Sequence, residues 1–322
     1  MADTRGNWSN EIPDVGLKLT EFFDQGQQLY TPQYMNILTA RTGDGAQKNY
    51  EGKTTAGRLK KTQEGDDVNT NQRYLSYLTQ VTYTKYTGSL EVTEEFVEDR
   101  DFSNVFNEAA ELGRVANFSL DESAMQLFNG GFATTVTVNG YDMTWYGDGK
   151  PTFSTIHPTK VPGASTQSNA SSTGIQFGHD NLEVATIALI QQQLDNGLPM
   201  NYNGKPMIVV PPALEREARE ETESVLNPEQ ANHAINVWRG KFDMASSLFL
   251  ATQFNGSDNA WFLVTPGVDK HYFEVRKAPT FEMDKEVKSG TATFVVKARW
   301  AVWVGDWRMK WGSKGDLATY SS

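Results

Sequence analysis

Cysteine is absent from this 322-residue chain, which removes disulfides, thiolate metal ligands and cysteine nucleophiles from its chemistry. Histidine is scarce. His157, His179, His233 and His271 stand apart in sequence, and a lone histidine is far more often structural than catalytic. His179 and Glu183 share a helical spacing, but two groups do not make a metal site. There is no His-Glu-x-x-His pair and no Gly-x-Ser-x-Gly turn. Gly52-Lys53-Thr54 imitates the end of a phosphate-binding loop, yet Gln47 stands where that motif needs glycine. No apolar run approaches the roughly 18 residues of a membrane span, and no charged-then-apolar leader opens the chain. Neither membrane insertion nor export is therefore expected, and the Asn-x-Ser matches at Asn7, Asn117, Asn169 and Asn255 read as chance. A cationic surplus is missing too. The net charge of −11 favours solubility and opposes tight non-specific binding to nucleic acid.

What the chain does have is apolar material for one large domain or two ordinary ones, with 38% hydrophobic residues, eight Trp, twelve Tyr and seventeen Phe. That material is unevenly spread. Between Gly43 and Arg73 only Ala46, Tyr50, Ala56, Leu59 and Val68 are apolar. Fixing each backbone residue costs about 1–2 kcal/mol, more than so polar a stretch recovers by burial. It leads into Tyr74–Thr93, where Val81 and Tyr83 alternate with polar residues as in a half-buried strand. Gly88 marks a candidate bulge or bend. A polar loop on a strand stem near the start of a chain is an arm, ordered by lying on something else.

The remaining pattern is mixed. Residues 1–42 read as an extended lead-in with a short amphipathic piece from Val15 to Phe23. Ser103–Asn129 is the clearest helix, carrying Val105, Ala109, Leu112, Ala116, Leu120, Ala124 and Leu127 as one apolar stripe. Asp101 or Ser103 caps its start and Gly130-Gly131 stops it. Turns and short strands follow from Ala133 to Pro158, then a polar loop to Gly178. A second helix starts at Asp180, with Glu183 in capping-box position, and runs toward Asn196-Gly197. A buried strand, Met207–Val210, precedes Pro211-Pro212 and a helix from Ala213 to about Val225. Its inward residues are Leu214, Ala218, Thr222 and Val225, opposite a solvated face of Glu215, Arg216, Arg219 and Glu220. Leu248–Thr252, Ala260–Thr265 and Tyr272–Arg276 are short strand candidates. The longest strand places Phe294, Val296, Ala298, Trp300, Val302 and Val304 on one face and Lys297 and Arg299 on the other. Its partner is either Val275–Lys285 or Trp307–Gly312.

Carboxylates are densest from Glu91 to Asp101, where six acids against Arg100 leave a net charge of −5. A cation site or catalytic pair is one reading; a charged surface between strand and helix is the favoured one. The arm from Ala46 to Arg73 carries six basic and four acidic residues, a net of +2. Basic arm and acidic hinge can then meet across a subunit boundary, where complementary charge fixes register. The candidate inter-subunit residues are Lys53, Arg58, Lys60, Lys61 and Arg73 on the arm, with Glu94, Glu95, Glu98 and Asp99 on the hinge.

The order of elements resembles tailed-phage major capsid proteins of the Hong Kong 97 type fold. Asp148-Gly149-Lys150 with Phe153-Ser154-Thr155-Ile156-His157-Pro158 looks like a phrase of the Mu-like head-subunit group, as do Asn181-Leu182-Glu183 and Val209-Val210-Pro211-Pro212-Ala213-Leu214-Glu215. Trp261-Phe262-Leu263 matches in kind, and Phe294–Gly312 is similar to the family's last strand pair. The resemblance covers the chain from about residue 45. It implies an α+β fold with an N-terminal arm (1–45), an extended hairpin loop (46–92), a peripheral domain (93–179 and 273–322) with a spine helix at about 103–129, and an axial domain (180–272). It implies further a non-enzymatic subunit without cofactors that builds pentamers and hexamers of a virion head around double-stranded DNA, binding that DNA without sequence specificity. Portal, separate scaffolding and decoration proteins are the implied partners, and a membrane is not. Loop lysines such as Lys53, Lys60 and Lys61 carry no motif for covalent joining. The alternatives are an encapsulin-like compartment shell and, in a different class, a carbohydrate-binding or hydrolytic β-rich protein using Asp66, Asp67 and Asp148.

Overall fold

A computed structural model describes residues 4–54, 57–59, 61–65, 67, 73–93, 102–200, 204–226, 234–286 and 291–320. Two long antiparallel strands, β10 (His271–Glu286) and β11 (Thr291–Val304), form its axis. The alternation seen in the sequence is realised on β11: Phe294, Val296, Ala298, Trp300, Val302 and Val304 are all buried. Of the two partners expected for this strand, the first is correct. β1 (Thr39–Thr42) runs parallel to β10 on its far side. On the other edge β11 pairs first with β4 (Thr84–Thr93) and then with β6 (Tyr141–Thr144), which carries the short β5 (Thr137–Val138). Gly88 is no bulge: it pairs in register with Val296 in an unbroken ladder.

A second sheet, ordered β12-β9-β7-β8, comprises Lys310–Ser313, Trp261–Val264, Met207–Val210 and Asp243–Ser246. Its central strands are apolar on both faces because both faces are covered. Trp261 and Leu263 pack with Ile208 and Val210 against helix α4 (His179–Ile190), through Leu182, Ala185 and Leu189. Phe262, Val264 and Val209 point the other way, into the core shared with Phe128, Phe153, Trp300 and Trp307. The two sheets thus belong to one continuous interior.

The long helix α3 (Phe102–Asn129) lies where the periodicity placed it. Its stripe is only partly core, because Leu112 and Ala116 remain half-buried beside β4. The chain continues past Gly130-Gly131 as a short 3-10 turn.

Four expectations fail for identifiable reasons. The N-terminal region is not extended: α1 (Thr4–Gln28) is a helix packed on α3, with Val15, Leu19 and Phe23 buried. Burial of each such side chain contributes about 2 kcal/mol. The two backbones approach closely, since a side chain at Gly26 would collide with the Ala110 carbonyl and one at Gly113 with that of Phe23. Second, α4 is not capped by a box and ends at Ile190, before the Asn196-Gly197 turn. Third, Leu248–Thr252 is not a strand but the start of two 3-10 turns, which tuck Phe249 and Leu250 under α3. Fourth, Val225 lies beyond the end of α5 (Glu215–Glu223) and is exposed. Ala218 and Thr222 are buried as expected, and Arg216 and Arg219 make their i,i+4 pairs with Glu220, Glu215 and Glu223.

Candidate inter-subunit surfaces

The polar segment is a hairpin. β2 (Gln47–Lys53) pairs antiparallel with β3 (Leu75–Thr82), so the strand stem has a second side that propensity alone did not reveal. Its root is fixed deeply. Val81 and Tyr83 are buried with Tyr272, Ala301 and Trp303, and the Tyr50 ring lies 5.2 Å from Trp303. Glu274, fully buried, accepts from the Tyr83 hydroxyl at 2.6 Å and from Lys48 Nζ at 3.2 Å. Burial and that carboxylate together push the Tyr83 phenol above its ordinary pKa. On the other face, Ser76 Oγ and the Tyr146 hydroxyl share a 2.5 Å hydrogen bond. Lys160 Nζ donates to the Ser76 carbonyl at 2.9 Å and sits over the Tyr77 ring. A charged donor in so well-partnered a place is a strong anchor.

The tip differs in every respect. Residues 58–59, 61–65 and 67 are exposed, and Leu59 is 99% exposed. Arg58 donates to the Gly197 carbonyl of its own chain at 3.2 Å. Lys61 and Arg73 are exposed as well. The side chain of Lys53, which ends β2, and Lys60, Glu94, Glu95, Glu98 and Asp99 lie outside the described residues, as does Asp66. The pairing of arm and hinge charges is therefore not among the described contacts.

The described histidines are structural. His157 is buried, stacked on Trp307 at 4.2 Å, with Nδ1 2.8 Å from Asp148 and Nε2 3.1 Å from Asn169. That pairing also encloses Asp148, so the acid considered for hydrolytic chemistry has no access to a substrate. His179 bonds Glu221 at 2.8 Å. His233 lies outside the described residues. Among the described residues no three His, Asp or Glu side chains converge as a metal site.

Two ionic features escaped sequence reasoning because their members are distant in the chain. Asp121 on α3 accepts from the backbone N–H groups of Gln33 and Tyr34 and from the Tyr30 hydroxyl, at 2.7–2.8 Å. It thereby holds the turn after α1 and the start of α2 (Tyr34–Ile37). Between the sheets, Arg308 pairs with Asp195 and Asp306, while Lys310 Nζ donates to the Asp306 carbonyl at 2.6 Å. Beneath them burial pushes Asp269 up to about 7 and Lys310 down to about 7. It also holds His271 well below the usual imidazole range. His271 Nδ1 and Asp269 Oδ2 are 3.0 Å apart without hydrogen-bond geometry.

A phage capsid protein family matches residues 77–309. No curated protein sequence matches the chain. Among solved structures it is similar to the bacteriophage JBD30 capsid, at a TM-score of 0.54 and 16% identity over 69% of this chain and 92% of that one. The bacteriophage PhiM1 mature capsid gives 0.56 and 8%, over 88% and 86%. The capsid of Myoviridae phage XM1 gives 0.51 and 13%, over 84% and 86%. At such identities the likeness is one of fold.

Proposed function

Because this chain belongs to the phage capsid protein family and has the α+β Hong Kong 97 type fold, we propose that it is the major subunit of an icosahedral phage head. The family match over residues 77–309 carries this reading, and it makes the protein a structural subunit rather than an enzyme. The contrast between the hairpin's root and its tip supports the finer picture. A stem this firmly held, bearing a tip this poor in apolar contacts, suits a segment whose surface is supplied by another copy. Residues 46–92 then form the extended loop. Residues 93–179 and 273–322 form the peripheral domain, residues 180–272 the axial domain around five- and six-fold centres, and residues 1–45 the N-terminal arm. Heterologous contacts that close into rings suit this layout. Single contacts of ~3–5 kcal/mol suffice when many act together.

The subunits enclose double-stranded DNA without reading its sequence, and the chain's acidity leaves that DNA free to exit. The phrases around Asp148 and Val209 favour the Mu-like group within the family. Portal, scaffolding and decoration proteins are the expected partners; a related JBD30 capsid is described as decorated with minor capsid protein trimers. The test is electron microscopy of the purified protein, full length and with residues 55–72 replaced by a short Gly-Ser linker. The full chain forms closed particles, and the shortened one remains a folded subunit that does not close. A full chain that stays a 36 kDa monomer under every assembly condition overturns the reading. Particles filled with an enzyme rather than DNA would make it a compartment shell.

A further inference from the structure

The two faces of the first sheet are unlike. Val296 and Ala298 of β11 point toward α3, where they line a groove with Leu112 and Val115. Their neighbours in the strand point the other way, and on that face three cations stand in one row. Lys85 on β4 pairs with Arg299 on β11, and Arg299 pairs with Lys277 on β10. Like charges directly opposite one another destabilise a sheet. Lys297 extends the group along β11, and a register shift between Val275 and Lys277 makes Arg276 the extra residue of a bulge. These five side chains line a cavity of about 420 Å³. Glu282 bridges Lys277 and Lys297 at 2.7 Å each. With one carboxylate for five cations, the cleft keeps a charge of +4 in a protein of net charge −11. Lys85, Arg276 and Arg299 make no ion pair within the described chain. The fold gains nothing from such a row, and an acidic partner removes its cost.

The chain carries one segment of matching charge. Residues 94–101, between β4 and α3, hold Glu94, Glu95, Glu98, Asp99 and Asp101 against Arg100, a net of −4. The rival acidic stretches are answered locally. Helix α5 pairs its glutamates with Arg216 and Arg219, and the hairpin tip balances Glu64, Asp66 and Asp67 with Arg58, Lys60 and Lys61. Segment 94–101 falls short of the row on its own chain. Its two ends lie together, since Val92 and Val105 share one apolar cluster. A loop of this length turns back within about 16 Å even at full stretch. Lys85 stands farther off, about 27 Å down β4 from Thr93 at the usual rise of a strand. We propose that the cleft of Lys85, Arg276, Lys277, Lys297 and Arg299 binds the acidic segment 94–101 of a second copy. The inference rests on the reading of this chain as a shell subunit, and it gives the acidic hinge a sheet face, rather than the hairpin's cations, as its partner. Each copy carries one cleft and one segment, so every copy both gives and takes, as contacts that close into rings require. Complementary charge then fixes the register of neighbours more than their affinity.

The experiment assembles particles from equal amounts of light and heavy-nitrogen-labelled full-length protein and treats them with a carbodiimide, which joins carboxylates to lysine amines in contact. Mass spectrometry then finds Lys85, Lys277 or Lys297 joined to a carboxylate of 94–101, with light and heavy chains mixed in the joined peptides. Four full-length proteins test the charge: wild type, R276E/R299E, E98K/D99K, and the four substitutions together. Each double reversal lowers the assembled fraction, read by sedimentation velocity and electron microscopy, by about 10-fold or more, and the combination recovers most of it. The unassembled R276E/R299E subunit melts at or above the wild-type temperature, because reversal at 299 places opposite charges in the row. Wild-type particles without such joins, or with joins confined to single chains, overturn the proposal. So does a combination that assembles no better than either double reversal. Particles of R276E/R299E that form at wild-type level but hold less DNA also overturn it, and make phosphate the occupant. A wild type that forms no particle instead sinks the underlying capsid reading, so the two failures are distinguishable.

Discussion

The root and the tip of the β2–β3 hairpin belong to one continuous segment and obey opposite rules. At the root, Tyr50, Val81 and Tyr83 meet Trp303 and Tyr272, and the buried carboxylate of Glu274 takes both Tyr83 and Lys48. At the tip, Leu59 lies in the open, and Arg58 makes an exposed hydrogen bond to Gly197. The difference teaches that projection from the body is built, not left over. A loop can be presented to a neighbour only if its base is too well packed to move.

The largest break of that comparison is Trp303→Ala. Trp303 is fully buried, and its removal takes the floor from Tyr50 and Tyr272. The expected loss is about 3–5 kcal/mol in chemical denaturation of the subunit. A loss below about 1 kcal/mol would show that the root is not held by this core.

A second effect separates buried from exposed charge. Burial depresses Lys310 to about 7, so between pH 7 and its unfolded value near 10.5 the unfolded chain binds the extra proton. Stability from this group is present above the unfolded value and is lost as pH falls through 7. Asp269 has the opposite sign: raised to about 7, it contributes below pH 4 and loses that contribution as pH rises through 7. The pair therefore produces a shallow stability minimum near neutrality. Thermal melts from pH 7 to 9 should show wild type gaining up to about 1 kcal/mol per pH unit relative to Lys310→Met. Parallel profiles would mean that Lys310 keeps its charge in the folded protein.

The smallest effect sharpens the other side. Arg58→Ala removes an exposed hydrogen bond and should shift subunit stability by less than about 0.5 kcal/mol. A larger shift in the melting temperature would make the tip part of the fold and weaken the case for a neighbour.

Much of this was legible in the residues. The helix at 102–129, the buried strand at 207–210 and the alternation along 294–304 follow from local periodicity, and the structure repeats them. The Glu215–Glu223 helix with its ion-paired face was legible for the same reason. The N-terminal helix was not. Its apolar residues are few, and what stabilises it is close passage over Gly26 and Gly113 on two separate helices. Leu248–Leu250 looked like a strand because apolar residues there are consecutive, yet they fill a gap under α3 as a tight turn. Leu112 was part of an unbroken stripe in the sequence but is half-buried, since β4 approaches without covering it. The candidate surface divides the same way. A polar arm was readable from composition. The facing of Lys85, Arg299 and Lys277 across β4, β11 and β10 was not, because these residues come together only by strand register.

What the sequence determined by itself depends on neighbours within a turn or two: the period of the long helix and its stop at Gly130-Gly131, the alternation of the last long strand, and the poverty of apolar residues at 43–73. Its family phrases also pointed to the correct fold. Tertiary structure alone decided which strand pairs with β11, how Asp121 and Glu274 find their partners, and where like charges are forced together. Those outcomes depend on contacts between residues far apart in the chain, whose closure entropy only the packed core offsets.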